Sequence, residues 1–182
     1  MLSVRQELAR RMVTLRPTRK LHSLLPLSST APAPSDTALG DWYVNRIVVD
    51  RRPLLILVSS TSLIPLLVPA REVRELPQRL PSLVENLLRR HGVAGSIIEA
   101  EKDAMIPVII GPTLDRSVLG IMVDFAKAVP YHLEPGRWDQ TSLPDVEDRL
   151  AETPCHAGRR FSEVIFPHMK MPEVLHARWG TG

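Results

Sequence analysis

The segment of residues 39–60 constrains the fold more than any other part of the chain. It contains two apolar runs, residues 47–49 and 54–58, which are separated by the sequence Asp-Arg-Arg-Pro. Charged residues and proline favour a tight turn over the interior of a strand. The segment therefore predicts an antiparallel hairpin. Because the second run has no polar face, we expect it to form a strand that is covered on both sides.

The spacing of apolar residues elsewhere predicts several helices with short strands between them. Asp115 or Ser117 is expected to cap the helix that ends near Pro130. A segment rich in proline, serine and alanine, residues 26–36, predicts a flexible loop. The remaining expectations are helices at 3–12, 18–25, 62–68 and 71–92, strands at 13–15, 96–99 and 106–110, and weak elements at 146–150 and 161–166.

Segregated helices and strands of this kind predict an α+β fold, a small and mostly antiparallel sheet packed by helices. We assign this domain to residues 1–133. Residues 134–182 form a poorly patterned C-terminal extension, which we expect to order only against a partner.

Composition favours a cytoplasmic protein. The chain of 182 residues is 44% hydrophobic and 24% charged, which is ordinary for a globular protein. We find no run of about 20 apolar residues that would span a membrane. Charges are scattered through the first twelve residues, unlike a secretory signal. Cys155 is the single cysteine, which suits a reducing compartment.

Basic residues do not form a nucleic-acid footprint. The net charge is +3, and four arginine pairs are interleaved with aspartate and glutamate. Solvated helix and loop faces have this composition, so we expect no direct binding of nucleic acid.

No catalytic, metal or cofactor site is expected. Four potential zinc ligands lie in the C-terminal extension, but their spacing matches no standard pattern. They are Cys155, His156, His168 and His176. No glycine-rich phosphate loop is present in the sequence.

One enzymatic alternative stays open, a nuclease-like toxin that uses Asp115, Arg116 or Asp124. A capping role for Asp115 is the simpler interpretation. Trp42 and Tyr43 are expected either to pack in the core or to anchor a partner interface.

Four short segments combine a polar residue with spaced leucine and proline, at 22–27, 61–66, 78–83 and 140–146. Candidate binding residues come from three of them, 22–27, 78–83 and 140–146, which are called the first, second and third segments below. Bacterial sliding-clamp ligands use a related Gln-x-x-Leu-x-Leu peptide, which places an amide in a polar slot and leucines in an apolar pocket. The first segment has His22 instead of glutamine, and the third has Asp145 where an apolar residue is expected. The candidate clamp-binding residues are Leu25, Pro26 and Leu27; Gln78, Leu80 and Leu83; and Gln140, Ser142, Leu143 and Pro144.

Three longer stretches carry a family resemblance: TRKLHSLL at 18–25, LGDWYVNRIVVDRRPLLILVSSTSLIPLL at 39–67 and DRSVLGIMVDFAKAVPYHL at 115–133. Together they resemble a bacterial family of uncharacterised domains found near mobile and toxin–antitoxin loci, and within it the SocB-like toxins. The resemblance covers roughly residues 13–133.

The resemblance implies a protein that binds the DNA polymerase III sliding clamp and stalls replication elongation without being an enzyme. It also implies a SocA-like antitoxin, which acts as a proteolytic adaptor and delivers the toxin to the ClpXP protease. Another protein-binding toxin–antitoxin or phage-defence component is the alternative in the same class.

Overall fold

A computed structural model describes residues 11–133, 142–156 and 164–181. Its main feature is a five-stranded sheet with the order β4-β3-β2-β1-β5, accompanied by a two-stranded sheet of β6 and β7. The strands are β1 (Val13–Pro17), β2 (Trp42–Val49), β3 (Arg52–Ser59), β4 (Pro65–Pro69), β5 (Val108–Ile110), β6 (Cys155–His156) and β7 (Val164–Ile165). The helices are α1 (Leu76–Arg90), α2 (Gly95–Ala104), α3 (Arg116–His132), α4 (Leu143–Ala151) and α5 (Pro167–Trp179), with 3₁₀ turns at Arg19–Leu21 and Ala70–Glu75.

The α+β fold is confirmed, and the sheet is mixed rather than purely antiparallel. β2, β3 and β4 pair antiparallel, whereas β1 runs parallel to both β2 and β5. Parallel neighbours need a long connection that returns the chain to the same end of the sheet. Residues 18–41 make that connection between β1 and β2.

The predicted hairpin is confirmed. β2 and β3 pair along their whole length, from Trp42 opposite Ser59 to Val49 opposite Arg52. The turn consists of Asp50 and Arg51, whose φ angles are 48° and 64°. Positive φ at both central residues is the geometry of a two-residue turn that matches the twist of the flanking strands.

Two predicted elements were wrong. Residues 62–68 were expected to be helical, but Pro65–Pro69 is strand β4, which pairs with β3. Residues 96–99 were expected to be a strand, but they lie in α2. A short apolar run fits either structure, and tertiary contacts decided both cases. The helix predicted at 3–12 lies mostly outside the described residues.

Helices cover both faces of the large sheet and produce two cores. Alternate residues of β3 point to opposite sides, so Leu55 and Leu57 belong to the first core while Ile56 and Val58 belong to the second. The first core is completed by α1, α2 and α5, and the second by α3 and α4. This double coverage explains why β3 is apolar along its length.

The described residues after 133 pack against the rest of the chain. Val146 and Leu150 of α4 belong to the second core, and Met171 and Leu175 of α5 belong to the first. The division into a domain at 1–133 and an extension at 134–182 stays a prediction. Both α4 and α5 nevertheless contribute to the cores of the proposed domain.

Among the described residues, no helix combines the length and the apolar character needed to cross a bilayer.

Candidate functional site

Of the three candidate residues in the first clamp-like segment, only Pro26 and Leu27 are exposed. Leu25 is 1% exposed and belongs to the first core, whereas Leu27 is 50% exposed and Pro26 is also at the surface. The next residue is held in place: Ser28 N donates to Ile110 O at 3.0 Å, and Ser28 Oγ accepts from Ile110 N at 2.9 Å. These bonds attach the loop to strand β5 directly behind Leu27.

The second segment lies in helix α1 and is not an extended peptide. Leu80 has no solvent exposure, and Leu83 is partly buried against the first core. Gln78 is exposed. Leu76, Leu80 and Val84 repeat at helical spacing, so periodicity already indicated that Leu80 faces the core. This segment cannot present both leucines to a cleft while the helix is folded.

The third segment is only partly described, because Gln140 lies outside the described residues. Ser142 is exposed and precedes α4, while Leu143 and Pro144 are half-buried in its first turn. Leu143 forms one wall of a surface hollow of about 440 Å³. The other walls come from the β3–β4 end of the sheet and are formed by Arg52, Pro53, Leu54, Pro69, Ala70 and Arg71.

Trp42 and Tyr43 are both buried and offer no surface to a partner in the folded chain. Trp42 belongs to the first core and Tyr43 to the second. The Tyr43 hydroxyl also accepts a hydrogen bond from Asp115 N at 3.0 Å, which connects β2 to the start of α3.

The segment LGDWY carries a polar network that sequence reasoning missed. Arg16 is buried on β1, and its Nε donates to Asp41 Oδ2 at 2.7 Å while its Nη1 donates to Pro112 O at 2.6 Å. Asp41 N donates to Ser60 Oγ at 2.9 Å. A buried charge needs such partners, and this cluster connects β1 to the start of β2 and to the ends of β3 and β5.

The acidic residues of the enzymatic alternative do not converge. Asp115 caps α3, because its Oδ1 accepts from Ser117 N at 2.9 Å and from Val118 N at 3.4 Å. Asp124 lies nine residues further along the same helix, which is roughly 13 Å along its axis. Carboxylates at that separation cannot act on the same reacting atom.

Cys155 is a poor nucleophile in this fold. Burial raises the pKa of its thiol to about 12, and the nearby Asp124 carboxylate adds to the rise. A thiol with that pKa is protonated at neutral pH, whereas nucleophilic cysteines are thiolates.

Metal coordination finds no support in the described part of the chain. Within residues 11–133, 142–156 and 164–181, no three histidine, cysteine, aspartate or glutamate side chains lie close enough together to hold an ion. His156 and His176 are exposed, and a ring nitrogen of His168 lies 2.9 Å from Ala151 O.

Together these features define an α+β domain with a mixed sheet, two cores and a loop that carries an exposed Pro-Leu pair. The chain belongs to the DUF6933 family, described as a domain of unknown function, whose profile matches residues 14–170. The match extends beyond residue 133 and includes α4 and the start of α5. No curated protein and no solved structure matches the chain.

Proposed function

We propose that this protein is the toxin of a toxin–antitoxin pair and that it acts by binding the bacterial DNA sliding clamp. The observation that carries the proposal is the exposure of Leu27 beside Pro26 on a loop attached to β5. The resemblance to SocB-like toxins supports the same target. The proposal includes a cytoplasmic location and no direct contact with nucleic acid.

The mechanism is competition for an apolar cleft. Burying one leucine side chain contributes roughly 1.5–3 kcal/mol, so Leu27 supplies an anchor but not a complete binding site. A full peptide contact would also need Leu25, and removing a buried leucine from a core costs about 2–5 kcal/mol. In the folded chain Leu27 is therefore the primary anchor, and Gln140 is the candidate for a second contact. Polymerase is excluded without any covalent step.

The proposal also includes a regulatory partner. A SocA-like antitoxin would bind the toxin and act as a proteolytic adaptor that delivers it to ClpXP. An inhibitor that acts by occupancy is removed most effectively by degradation, because its effect lasts as long as the complex with the clamp.

Binding of the purified chain to purified sliding clamp tests the proposal directly. We expect Leu27→Ala to raise the dissociation constant about tenfold or more, since a loss of about 1.4 kcal/mol in binding free energy corresponds to a factor of ten. Leu114→Ala is the matched control, because Leu114 is 70% exposed and lies outside the clamp-like segments. Equal affinity of wild type, Leu27→Ala and Gln140→Ala would overturn the peptide mechanism.

Toxicity on expression separates the clamp proposal from its alternatives. We expect growth arrest that survives Asp124→Ala and disappears in the double variant Leu27→Ala/Gln140→Ala. Loss of toxicity with Asp124→Ala alone would instead favour the nuclease-like enzyme. Toxicity that persists in the double variant would favour a different protein target.

A further inference from the structure

Strand β2 has an open edge along its second half. β3 pairs with every residue of β2, but β1 pairs only with Trp42, Tyr43 and Val44. After Pro17 the chain leaves the sheet for the 3₁₀ turn at Arg19–Leu21. Residues 45–49 therefore have no strand beside them on the β1 side within the described part of the chain.

The backbone of this half presents hydrogen-bonding groups to the open side. In an antiparallel pair, alternate residues direct their N–H and C=O groups toward and away from the partner strand. Val44 O accepts from Thr18 N at 3.0 Å on the β1 side, which sets the alternation. By the same alternation the backbone groups of Arg46 and Val48 point away from β3. Arg46 N already donates to Asn45 Oδ1 at 2.9 Å, so the groups that face the open side without this contact are the Arg46 carbonyl and the N–H and C=O of Val48. Pro53, which has no N–H to donate, lies opposite Val48 and agrees with this register.

A hollow of about 690 Å³ lies along this edge, between β2 and α3. Its apolar part includes Val48, which is 58% exposed, and Val123, which is 48% exposed. Three cations line the same hollow, and no aspartate or glutamate does. The cations are Lys20, Arg46 and Lys127.

We propose that this edge is a docking site for an extended acidic segment of another protein, which adds as a strand beside residues 45–49 of β2. Strand addition uses backbone hydrogen bonds for affinity and alternate side chains for specificity. The side chains of Arg46 and Val48 lie on the face of the first core, whereas α3 lies on the other face. Glutamate or aspartate at the alternate positions that face α3 would therefore lie near Lys127, while the apolar residues between them would contact Val48. The proposal is independent of clamp binding through Leu27.

Charge argues against a second copy of this chain as the occupant. Joining two open β2 edges would bring two Arg46 side chains and their neighbouring lysines together. Cations at an exposed edge are a common protection against such self-pairing. They leave the edge open to a strand of opposite charge.

An eight-residue peptide of alternating valine and glutamate is a suitable probe, and ¹⁵N amide shifts of the full chain are the readout. We expect saturable shifts at Arg46 and Val48, with an affinity that falls as salt rises. Replacing every glutamate of the peptide by lysine should abolish these shifts. Absence of any shift at these residues at millimolar peptide would overturn the proposal.

Two further measurements separate strand addition from loose ionic attraction. We expect Lys127→Glu to weaken peptide binding at least tenfold, while the same change at Arg74, an exposed cation outside the hollow, has little effect. Methylating the backbone nitrogens that face β2 should prevent binding, and methylating the alternate nitrogens should not. Equal binding of both methylated peptides would overturn strand addition, as would a concentration-dependent dimer that joins the β2 edges.

Leu27→Ala should leave peptide binding unchanged. A failure of peptide binding at β2 can therefore be distinguished from a failure of clamp binding through Leu27.

Discussion

Trp179 Nε1 donates a hydrogen bond of 2.6 Å to Glu101 Oε2 and thereby joins the last helix to α2. The same carboxylate accepts from Ala38 N at 2.8 Å and from Leu39 N at 3.0 Å. Burial raises the pKa of Glu101, and these three donors act in the opposite direction by stabilising the charged form. One buried acid therefore connects three segments that are distant in sequence.

Glu101→Ala should destabilise the fold by about 3 kcal/mol or more, because each buried donor left without an acceptor costs about 1–3 kcal/mol. Glu101→Gln retains one acceptor oxygen and should lose clearly less. Urea unfolding of both variants measures the difference. A loss below about 1 kcal/mol for the alanine variant would show that the three contacts are not maintained in solution.

Leu175→Ala should cost about 2–5 kcal/mol of unfolding free energy, as a leucine fully buried in a core does. Met169→Ala, in the same helix but 62% exposed, is the control and should change stability by less than about 0.5 kcal/mol. Similar small effects of the two substitutions would support the predicted loose extension instead.

Stability should fall as pH rises from about 4.5 to 7 because of Glu147. Burial raises the pKa of this carboxyl from 4.5 to about 7, although Leu67 N and Arg90 donate to it. The folded state therefore holds a proton that the unfolded state has lost, and the contribution is complete below 4.5. At about 1.4 kcal/mol per pKa unit, the upper limit is about 3 kcal/mol.

Urea unfolding at pH 5 and pH 7.5 measures this dependence, and Glu147→Gln isolates it. Burial also raises the pKa of Glu101, so both proteins retain the slope from that residue. We expect a shallower slope for Glu147→Gln than for wild type. Identical slopes would contradict the assignment.

Gly40→Ala should be more destabilising than Gly92→Ala, although both glycines have φ of +72°. The left-handed conformation costs about 1–2 kcal/mol for either alanine. At Gly40 the added Cβ also meets the hydroxyls of Ser60 and Thr61, whereas nothing lies near it at Gly92. We expect a total loss of about 3 kcal/mol at Gly40, measured by thermal or urea unfolding. Equal losses of unfolding free energy at the two glycines would show that the Ser60 and Thr61 side chains move away from the added Cβ at no measurable cost.

Cys155 should react slowly with thiol reagents in the folded chain. Raising its pKa from 9.0 to about 12 lowers the thiolate fraction at pH 8 roughly a thousandfold, and burial restricts access further. Labelling rates in buffer and in urea provide the test. Comparable rates in both solvents would mean that this region opens readily.

Local patterns in the sequence were sufficient for the hairpin and for the α3 cap. The hairpin joins adjacent runs through Asp50 and Arg51, and Asp115 bonds amides two and three residues away. Both interactions depend on neighbours in the chain. Periodicity was insufficient for β4 and α2, because their short apolar runs fit a strand or a helix equally well.

The candidate site also has features that local sequence predicts and features that depend on distant contacts. The sequence placed candidate leucines in three clamp-like segments, but it could not show which of these leucines are accessible. Leu25 and Leu80 are core residues and Leu27 is not, and that difference arises from packing between distant elements. The open edge of β2 could not be predicted from the sequence either, because it depends on where β1 leaves the sheet.

By itself the sequence determined an α+β chain organised around one hairpin, since alternation and turn chemistry act between neighbouring residues. Only the tertiary structure decided that β1 runs parallel, that α4 and α5 complete the two cores, and which leucines reach solvent. Those outcomes depend on contacts between segments far apart in the chain, such as Trp179 with Glu101, and no local pattern encodes them.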